Sequence, residues 1–412
     1  MKIIIRNCNV AELDIPLKYA TKLYNEFAIR HPNAFYLRTR QRGMQNWDGK
    51  IKYITKTGQF KIGLLPSVYK RCIELGIKPI IVDMRQPLPK VSKVVTQIGK
   101  YKLRPEQEKA VKAILSNKLG ETPFQIGVLD YTVNAGKTLI MSALYLSYKK
   151  QLKTLLITND SDWLNQARDE FKQYLPGEDI TFVQGKVLNW SNFTIGMVQS
   201  ISRNMKYYQN ELAKIDMVLI DEADQGGSKQ YQNVITRLFN TRVRIGLSGT
   251  IYMSKLAKDK VKNMNLRCFF GDVIAEFKLK DSIKKGYSTK TIVKTVEGKP
   301  WFGNWESDCM SYNEIYDDSI THNKIAWTMA LDRLKWNLNQ GRYPALVVCK
   351  HIAHCENLCK FFKKKLDNKY NIACVHVNTH TKLRQQIMKD FREGKIDILV
   401  STTIIARGKN FP

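Results

Sequence analysis

Short apolar runs alternate with longer segments of helical periodicity from about residue 93 to the end of the chain. Such runs suit strands that are buried on both faces, and the amphipathic segments between them suit helices that cover a sheet. The alternation therefore predicts parallel sheets flanked by helices, an α/β fold. The candidate strands are 154–158, 193–197, 217–220, 244–247, 345–349, 372–375 and 396–400.

These candidate strands fall into two sets, before and after about residue 285, which predicts two α/β lobes. The leading segment differs, because short β-rich runs are separated there by turn signals such as Asp48-Gly49, as in hairpins. The proline-rich stretch 86–90 is the clearest linker in the chain. We therefore predict a small α+β domain, a first lobe, and a connector with a second, incomplete lobe, over 1–90, 91–285 and 286–412 respectively.

The charge of the chain, rather than its apolar content, is unusual. Of the 412 residues, 67 are Lys or Arg and 37 are Asp or Glu, which gives a formal net charge of +30 and a pI near 9.7. A surface this basic attracts polyanions, so we expect a nucleic-acid partner. The sequence has no run of 18 apolar residues, and residues 1–6 lack the apolar core of a signal peptide, so we expect no membrane partner.

Positive charge is dense in the first hundred residues, which hold nineteen Lys and Arg and six Asp and Glu. Between 35 and 61, cations that could hold phosphates are interleaved with aromatic rings that could stack on bases. In the alternative interpretation the aromatic residues form the core of a small domain and the cations face water, and both can be true. The candidate nucleic-acid contacts here are Arg38, Arg40, Arg42, Trp47 and Lys50.

The eight cysteines lack the spacing of a disulfide framework, so we expect reduced thiols and a cytoplasmic location, in the host cell if the chain is viral. His351, His354, Cys355 and Cys359 have a spacing that zinc ligands can show. The alternative is a helix after the apolar run 345–348, with positions 351, 355 and 359 on one buried face. The helix is the favoured interpretation.

The segment 132–138 has the composition of a phosphate-binding loop between a strand and a helix. Backbone N–H groups of Asn134, Ala135 and Gly136 could form an anion nest at the helix start. Lys137 could reach the terminal phosphates of ATP, and the hydroxyl of Thr138 could bind Mg2+. The general pattern is incomplete, because Tyr131 stands where its first glycine belongs, but the strand–loop–helix context is present.

A second motif, Asp221-Glu222-Ala223-Asp224, follows the apolar run 217–220. Adjacent residues at a strand end point in different directions, so two acids there can take separate roles. We expect Asp221 to bind Mg2+ and Glu222 to orient or deprotonate the attacking water. Together with Lys137 these residues predict hydrolysis of a nucleoside triphosphate.

The two motifs together resemble those of superfamily 2 helicases and translocases, and further motifs of that superfamily follow in order. Leu103 to Gln107 resembles the adenine-reading Q motif, which implies that Arg104 and Gln107 bind the nucleotide. Leu247-Ser248-Gly249-Thr250 resembles motif III, which couples hydrolysis to movement, and 347–351 resembles motif IV. The resemblance of motifs Ia, Ib and V implies nucleic-acid contacts by Asn159, Gln166, Gln199, Ser200 and Thr402, and nucleotide contacts by Gly408 and Asn410.

A narrower resemblance, to the UvsW-type phage recombination helicases, rests on Gln45 to Ile51, Ile62-Gly63-Leu64 and the motif IV region. It implies ATP-driven remodelling of branched or forked DNA, such as fork regression, junction migration and unwinding of R-loops or D-loops. It also implies two RecA-like lobes with ATP bound between them and, we expect, a monomer on DNA. Such activities serve recombination, repair and replication.

Two departures from the superfamily pattern affect these expectations. Motif I begins with Thr132-Val133 instead of the common Pro-Thr, and Asn410 stands where motif V often has Asp, although asparagine can still bond to a ribose hydroxyl. Motif VI, whose arginines stabilise the transferred phosphoryl group, does not follow Pro412. The 412 residues alone are therefore expected to bind ATP but turn it over poorly, whereas a longer chain with motif VI would be a full enzyme.

Two other functions are open on the sequence alone. One is a nucleic-acid-binding module in which ATP binds without turnover. The other keeps the motor but changes its task, to an RNA helicase or the motor subunit of a restriction enzyme; charge does not distinguish RNA from DNA.

Overall fold

A computed structural model describes residues 1–41, 43–159, 161–187, 190–252, 257–295, 311–367 and 369–405. Two units, Met1–Lys290 and Thr291–Pro412, each make their own internal contacts. Within the described ranges, no helix is both long and apolar enough to cross a membrane.

The leading segment is a small α+β layer. Its four-stranded sheet has the order β5-β2-β1-β6, in which β1 pairs parallel with β6 and antiparallel with β2, while β3 and β4, with α2 between them in the chain, form a separate antiparallel pair instead of the expected hairpin. The elements are β1 Lys2–Ile5, β2 Val10–Asp14, α1 Leu17–Glu26, β3 Ala28–Arg30, α2 Ala34–Arg40, β4 Lys50–Lys52, β5 Gln59–Lys61, α3 Leu65–Glu74 and β6 Ile80–Asp83.

The first lobe is built on a seven-stranded parallel sheet of order β13-β14-β12-β15-β16-β11-β17. Its strands and the two short pairs that precede them are β7 Gln97–Ile98, β8 Tyr101–Lys102, β9 Lys118–Leu119, β10 Thr122–Pro123, β11 Ile126–Tyr131, β12 Thr154–Thr158, β13 Ile180–Val183, β14 Phe193–Met197, β15 Met217–Asp221, β16 Val243–Ser248 and β17 Val273–Phe277. Its helices are α4 Pro105–Leu115, α5 Lys137–Ser147, α6 Ser161–Tyr174, α7 Val198–Arg203, α8 Met205–Ala213, α9 Lys229–Ile235, α10 Ala257–Phe270 and α11 Leu279–Lys284.

The leading segment and the first lobe share one hydrophobic core, in which Ile3, Phe60 and Val68 belong to the same buried cluster as residues of the large sheet. The two approach closely at Gly63, where an added Cβ would lie 2.1 Å from the carbonyl oxygen of Arg267 on α10. Only glycine fits so close to another backbone. The leading segment therefore packs against the lobe within the unit Met1–Lys290.

The second unit contains a three-stranded parallel sheet of order β18-β20-β19. Its core gathers apolar residues of the sheet and of the helices that pack on it. The elements are α12 Tyr312–Tyr316, α13 Lys324–Asn339, β18 Ala345–Cys349, α14 Ile352–Lys365, β19 Ile372–Val375, α15 Thr381–Arg392 and β20 Ile398–Thr402.

The predicted α/β fold with two parallel sheets is confirmed, and β12, β14, β18 and β19 have the predicted bounds. The strand predicted over 396–400 begins and ends two residues later, and β13 and β17 were not predicted. Both of these lie at the edges of the large sheet, where a strand is less apolar than one in the centre.

The cysteine-rich stretch near 351–359 lies on α14, as the favoured interpretation expected. Cys355 and Cys359 are buried in the core of the second unit, and the Sγ atoms of Cys355 and Cys374 lie 3.4 Å apart. In the part of the chain that the structure describes, no group of three or more His, Cys, Asp or Glu side chains is arranged to hold a metal ion.

Candidate nucleotide site and nucleic-acid interface

The segment between β11 and α5 has the backbone of an anion nest. Asn134 and Gly136 adopt left-handed φ values of 63° and 72°, and α5 begins at Lys137, with Gly136 as its N-cap. Left-handed residues in a turn direct successive N–H groups to one side, and the N-terminus of a helix adds positive potential there. The predicted loop residues therefore have a geometry suited to phosphate.

The predicted Q-motif residues, Arg104 and Gln107, donate hydrogen bonds to carbonyl groups of this loop. Gln107 is buried; its Oε1 accepts a hydrogen bond from the N–H of Arg104 at 2.9 Å and its Nε2 donates to the carbonyl of Ala135 at 2.9 Å. Arg104 Nη2 donates to the carbonyl of Asn134 at 3.1 Å, and a Cβ on Gly136 would lie 2.3 Å from Gln107 Nε2. The structure thus shows contacts from both side chains to the loop, and their contact with an adenine base stays a prediction.

The acidic motif meets Lys137 because both follow parallel strands of one sheet. β15 and β11 are separated only by β16, so their carboxyl ends lie at the same edge. Lys137 Nζ lies 3.5 Å from Asp221 Oδ1 and 4.0 Å from Glu222 Oε1. Asp221 is buried, and this burial raises the pKa of its carboxyl even though the charge of Lys137 acts in the opposite direction.

These residues fit a Mg2+ ion bound with a nucleotide. Asp221 Oδ1 is inaccessible to solvent, and Lys137 Nζ approaches it only at ion-pair distance, 3.5 Å. A buried carboxylate oxygen held this loosely is stabilised further by a divalent cation, for which carboxylates are preferred ligands. Thr138 follows Lys137 in the first turn of α5, where its hydroxyl is a suitable second ligand.

Motifs II and III are in contact. Glu222 has a left-handed φ of 50°, which turns the chain sharply after β15. Asp224 Oδ1 accepts a hydrogen bond from Ser248 Oγ at 3.3 Å, and Ser248 Oγ accepts one from the N–H of Thr250 at 3.2 Å. The acidic motif is therefore hydrogen-bonded to the end of β16.

Two of the predicted nucleic-acid residues in the first lobe, Asn159 and Gln199, are linked by hydrogen bonds near the acidic motif, and a third, Ser200, has a separate partner. Gln199 Nε2 donates to the carbonyl of Asn159 at 3.1 Å, and Asn159 Nδ2 donates to Gln225 Oε1 at 3.0 Å. Ser200 Oγ accepts a hydrogen bond from the N–H of Gly185 at 3.2 Å. Gln166 is not part of this group, because its amide donates to Glu170 one turn along α6.

The leading segment presents its candidate residues differently. Arg38 and Arg40 are exposed on α2 and Lys50 is exposed on β4, whereas Trp47 is half-buried and donates from Nε1 to the carbonyl of Lys50 at 3.0 Å. Arg42 lies outside the described residues. The exposed rings of this surface belong to α2, where Phe35 and Tyr36 are 80% and 55% exposed.

The second unit contributes only one described candidate. Thr402 is buried at the end of β20, opposite Cys349 in the sheet register. Gly408 and Asn410 fall outside the residues that the structure describes. All three assignments stay predictions.

Sequence reasoning missed a second group beside the loop. The guanidinium of Arg104 lies 4.3 Å from the ring centroid of Tyr287, and Lys285 Nζ lies 2.7 Å from Glu106 Oε2. Tyr131, which replaces the first glycine of the general motif, is buried and donates to the carbonyl of Glu106 at 2.8 Å. Burial raises the pKa of Tyr131 to about 12, so this hydroxyl stays a donor. These residues fix α4 against the loop, and no local pattern marks Lys285 or Tyr287.

Two family models match the chain in the regions just described. Residues 100–253 match the type III restriction enzyme res subunit family, and residues 328–412 match the helicase conserved C-terminal domain. With the two parallel-sheet lobes, these matches place the chain in superfamily 2 of the helicases. Members of this superfamily use ATP, typically with Mg2+, to act on nucleic acid.

The solved structures with a similar fold include UvsW of bacteriophage T4. One of its crystal structures has a TM-score of 0.53 at 21% identity, covering 67% of this chain and 100% of that one. A second has 0.52 at 20% identity, covering 98% and 80%. The DEAD-box helicase Mss116 bound to single-stranded RNA has a TM-score of 0.50 at 16% identity, covering 79% and 66%.

A curated relative matches a smaller part of the chain. The ATP-dependent RNA helicase CHR1 of Candida albicans is 22% identical over 209 residues, or 49% of this chain. The chain spans about 29% of the length of that relative.

Proposed function

We propose that this protein is an ATP-driven DNA translocase that remodels branched DNA, such as forks, four-way junctions and D-loops or R-loops. The observation that carries the proposal is the convergence of Lys137, Asp221 and Glu222 at the edge of a parallel sheet, where Lys137 lies within 4.0 Å of both acids. Each of these side chains has a defined part in phosphoryl transfer.

In this proposal the loop 134–136 holds the phosphates by its N–H groups, and Lys137 neutralises the terminal ones. Asp221 and Thr138 would hold Mg2+, which when bound stabilises charge on the phosphates. Glu222 orients and deprotonates the attacking water. The hydrogen bond between Asp224 and Ser248, 3.3 Å long, gives the acidic motif a route to the rest of the lobe.

A DNA substrate is supported by the leading segment. Its exposed cations and rings on α2 lie in the same compact unit as the nucleotide loop. A fold like that of UvsW extends over 98% of the chain, so the leading segment is included in the likeness. We propose that this segment binds the duplex arms of a branched substrate and that the protein acts as a monomer.

A second candidate function is an RNA helicase. It is favoured by the name of the curated relative, an RNA helicase, and by the single-stranded RNA bound to Mss116. In this case the exposed rings of α2 would stack on unpaired bases.

Affinity measured on matched substrates distinguishes the two. Fluorescence anisotropy at one salt concentration, with a non-hydrolysable ATP analogue, would compare a four-way DNA junction, a linear duplex and a single-stranded RNA of equal nucleotide count. We expect the junction to bind at least about tenfold more tightly than the other two. Equal or tighter binding of the RNA would reject the DNA proposal and favour the RNA helicase.

A further inference from the structure

A cavity of about 730 Å³ lies between the leading segment and the first lobe, far from the nucleotide loop along the sheet. It is lined by the turn after β1, by residues 84–89, and by the residues that precede β12, β15 and β16. Asp216 lies at its wall, and Asp221 lies at the opposite end of β15. Five residues of strand separate the two sites by roughly 16 Å.

Two buried arginines line this cavity and share a single carboxylate. Arg85 donates from Nε and Nη2 to Asp83 at 2.8 Å each, and Arg242 Nη1 lies 3.4 Å from Asp83 Oδ2. The side chains of Arg85 and Arg242 are only 2% and 8% exposed. Arg85 Nη1 and Arg242 Nε are buried and have no hydrogen-bond partner within the described ranges.

A third arginine increases the positive charge. Arg244 is fully buried beside the cavity and donates to the carbonyls of Cys8 and Phe269 and to Asn9 Oδ1, all neutral acceptors. Among the residues described, it forms no ion pair. Arg85 and Arg242 thus share the carboxylate of Asp83, whereas Arg244 has only neutral acceptors, and burial lowers the pKa of both Arg242 and Arg244, the latter to about 10.

The remaining charges at the wall already have partners. Arg6 pairs with Glu12 and Lys214 pairs with Glu211, while Asp216 accepts from the N–H of Lys153. The thiol of Cys8 also faces the three arginines, and its own burial raises its pKa, so it stays neutral. The uncompensated charge is therefore that of the buried arginines.

We propose that this cavity is an anion site that takes a phosphate group, held by Arg85 and Arg242. A guanidinium offers paired N–H donors that match phosphate oxygens, and a buried excess of positive charge is stabilised by a bound anion. The phosphate comes either from a free small phosphate or from a nucleic-acid backbone. Because the cavity is bounded by both the leading segment and the lobe, the bound anion stabilises their packing.

The test uses the full chain carrying Lys137→Ala, which weakens phosphate binding at the nucleotide loop, and the further change on adding Arg242→Gln reports on the cavity. Inorganic phosphate would be titrated at constant ionic strength, with chloride as the balancing anion, and its affinity followed by calorimetry and by the shift in Tm. We expect saturable binding with a rise in Tm, and an affinity about tenfold or more weaker when Arg242→Gln is added.

Two further variants keep the result interpretable. Arg71→Gln removes a half-buried arginine of the same unit outside the cavity, and its phosphate affinity should match that of the parent. Arg242→Lys keeps the buried charge and tests the site if Arg242→Gln fails to fold; it should weaken phosphate about threefold, because an ammonium lacks the paired N–H donors of a guanidinium. Binding no stronger than chloride, or equal binding by the parent and the Arg242 variants, overturns the proposal.

A short single-stranded oligonucleotide identifies the source of the phosphate. Competition between the oligonucleotide and inorganic phosphate, lost in Arg242→Gln, would assign the site to a nucleic-acid backbone. Simultaneous binding of both would assign it to a free small phosphate. Either result supports the anion site. If Arg242→Gln changes the binding of neither the oligonucleotide nor inorganic phosphate, the proposal is rejected.

Discussion

Gly136 occupies the most confined position in the nucleotide loop. It has a φ of 72°, and a Cβ added to it would lie 2.3 Å from Gln107 Nε2. A side chain there costs about 1–2 kcal/mol for the left-handed backbone alone, and it also displaces the amide that holds the loop. Residue identity at this one position therefore decides whether the nest can form.

We predict that Gly136→Ala lowers ATP affinity at least about tenfold while the chain stays folded. Gly177→Ala is the matched control, because Gly177 has a φ of 80° but open space around it. Equilibrium binding of a fluorescent ATP analogue and the Tm would be measured for both variants. An equal loss of ATP affinity in both would show that the loop contact with Gln107 has no role.

The buried carboxylate of Asp221 lowers the stability of the folded chain. Burial raises its pKa, so the carboxylate is less favourable in the folded chain than in the unfolded one. The penalty is absent at low pH, where both states are protonated, and develops as pH rises above the unfolded-state pKa toward the folded one. Near neutral pH, removing the charge should therefore stabilise the chain in the absence of nucleotide.

We predict that Asp221→Asn raises the Tm at pH 7.5 by about 1–3 °C and that the gain shrinks as pH falls toward about 4. The same variant should lose Mg2+-dependent ATP binding. Asp169→Asn, which changes an exposed carboxylate of α6, should alter neither property. A Tm for Asp221→Asn below that of the parent at pH 7.5 would contradict the proposed cost of burying the Asp221 carboxylate.

At the scale of elements, α2 of the leading segment exposes both positively charged side chains and aromatic rings to solvent. Arg40 lies with its guanidinium 5.1 Å from the ring centroid of Tyr36, and Arg38 is exposed on the same helix. Deleting residues 1–90 would not test this surface cleanly, because Gly63 and its neighbours pack into the core shared with the lobe. Substitution of exposed residues is the sharper experiment.

We predict that Arg38→Ala with Arg40→Ala weakens binding to a four-way junction and lowers the slope of log K against log salt by up to about 1.8, or about 0.9 for each phosphate that an arginine no longer neutralises. The control pair Lys70→Ala with Arg71→Ala removes the same charge from α3. The two pairs would be compared over a salt series. Equal slopes for both pairs would mean that α2 contributes only general charge.

The central strands of the large sheet could be predicted from the sequence. Its edge strands, and contacts between residues far apart in the chain, could not. The apolar runs predicted the full bounds of β12 and β14, because each strand is buried on both faces. β17, which reads Val-Ile-Ala-Glu-Phe with an exposed first residue, carries no such run because it borders the sheet.

The residues of the candidate site also fall into two classes, those that a local motif predicts and those that come together only in the folded chain. Lys137 and Asp221 lie within motifs whose local spacing reveals their chemistry. The stacking of Arg104 on Tyr287 depends on a return of the chain much later in the sequence, which no local pattern records. The cluster of Arg85, Arg242 and Asp83 was missed for the same reason, since Arg242 joins the other two only after folding.

At the scale of the whole molecule, the formal net charge of +30 accounts for attraction to nucleic acid in general but not for a preference among structures. That preference must come from surfaces such as α2 and from the coupling of the nucleotide site to the lobe. We propose that the site formed by Lys137, Asp221 and Glu222 hydrolyses ATP in response to DNA.

The most direct test is the rate of ATP hydrolysis by the chain with and without a four-way DNA junction, measured alongside Lys137→Ala. We predict a low rate that the junction stimulates, and loss of that stimulation in Lys137→Ala with junction affinity unchanged. Lys112→Ala, which removes an exposed lysine of α4, should behave as the parent. No stimulation by the junction, or hydrolysis by Lys137→Ala at the parent rate, would contradict the account.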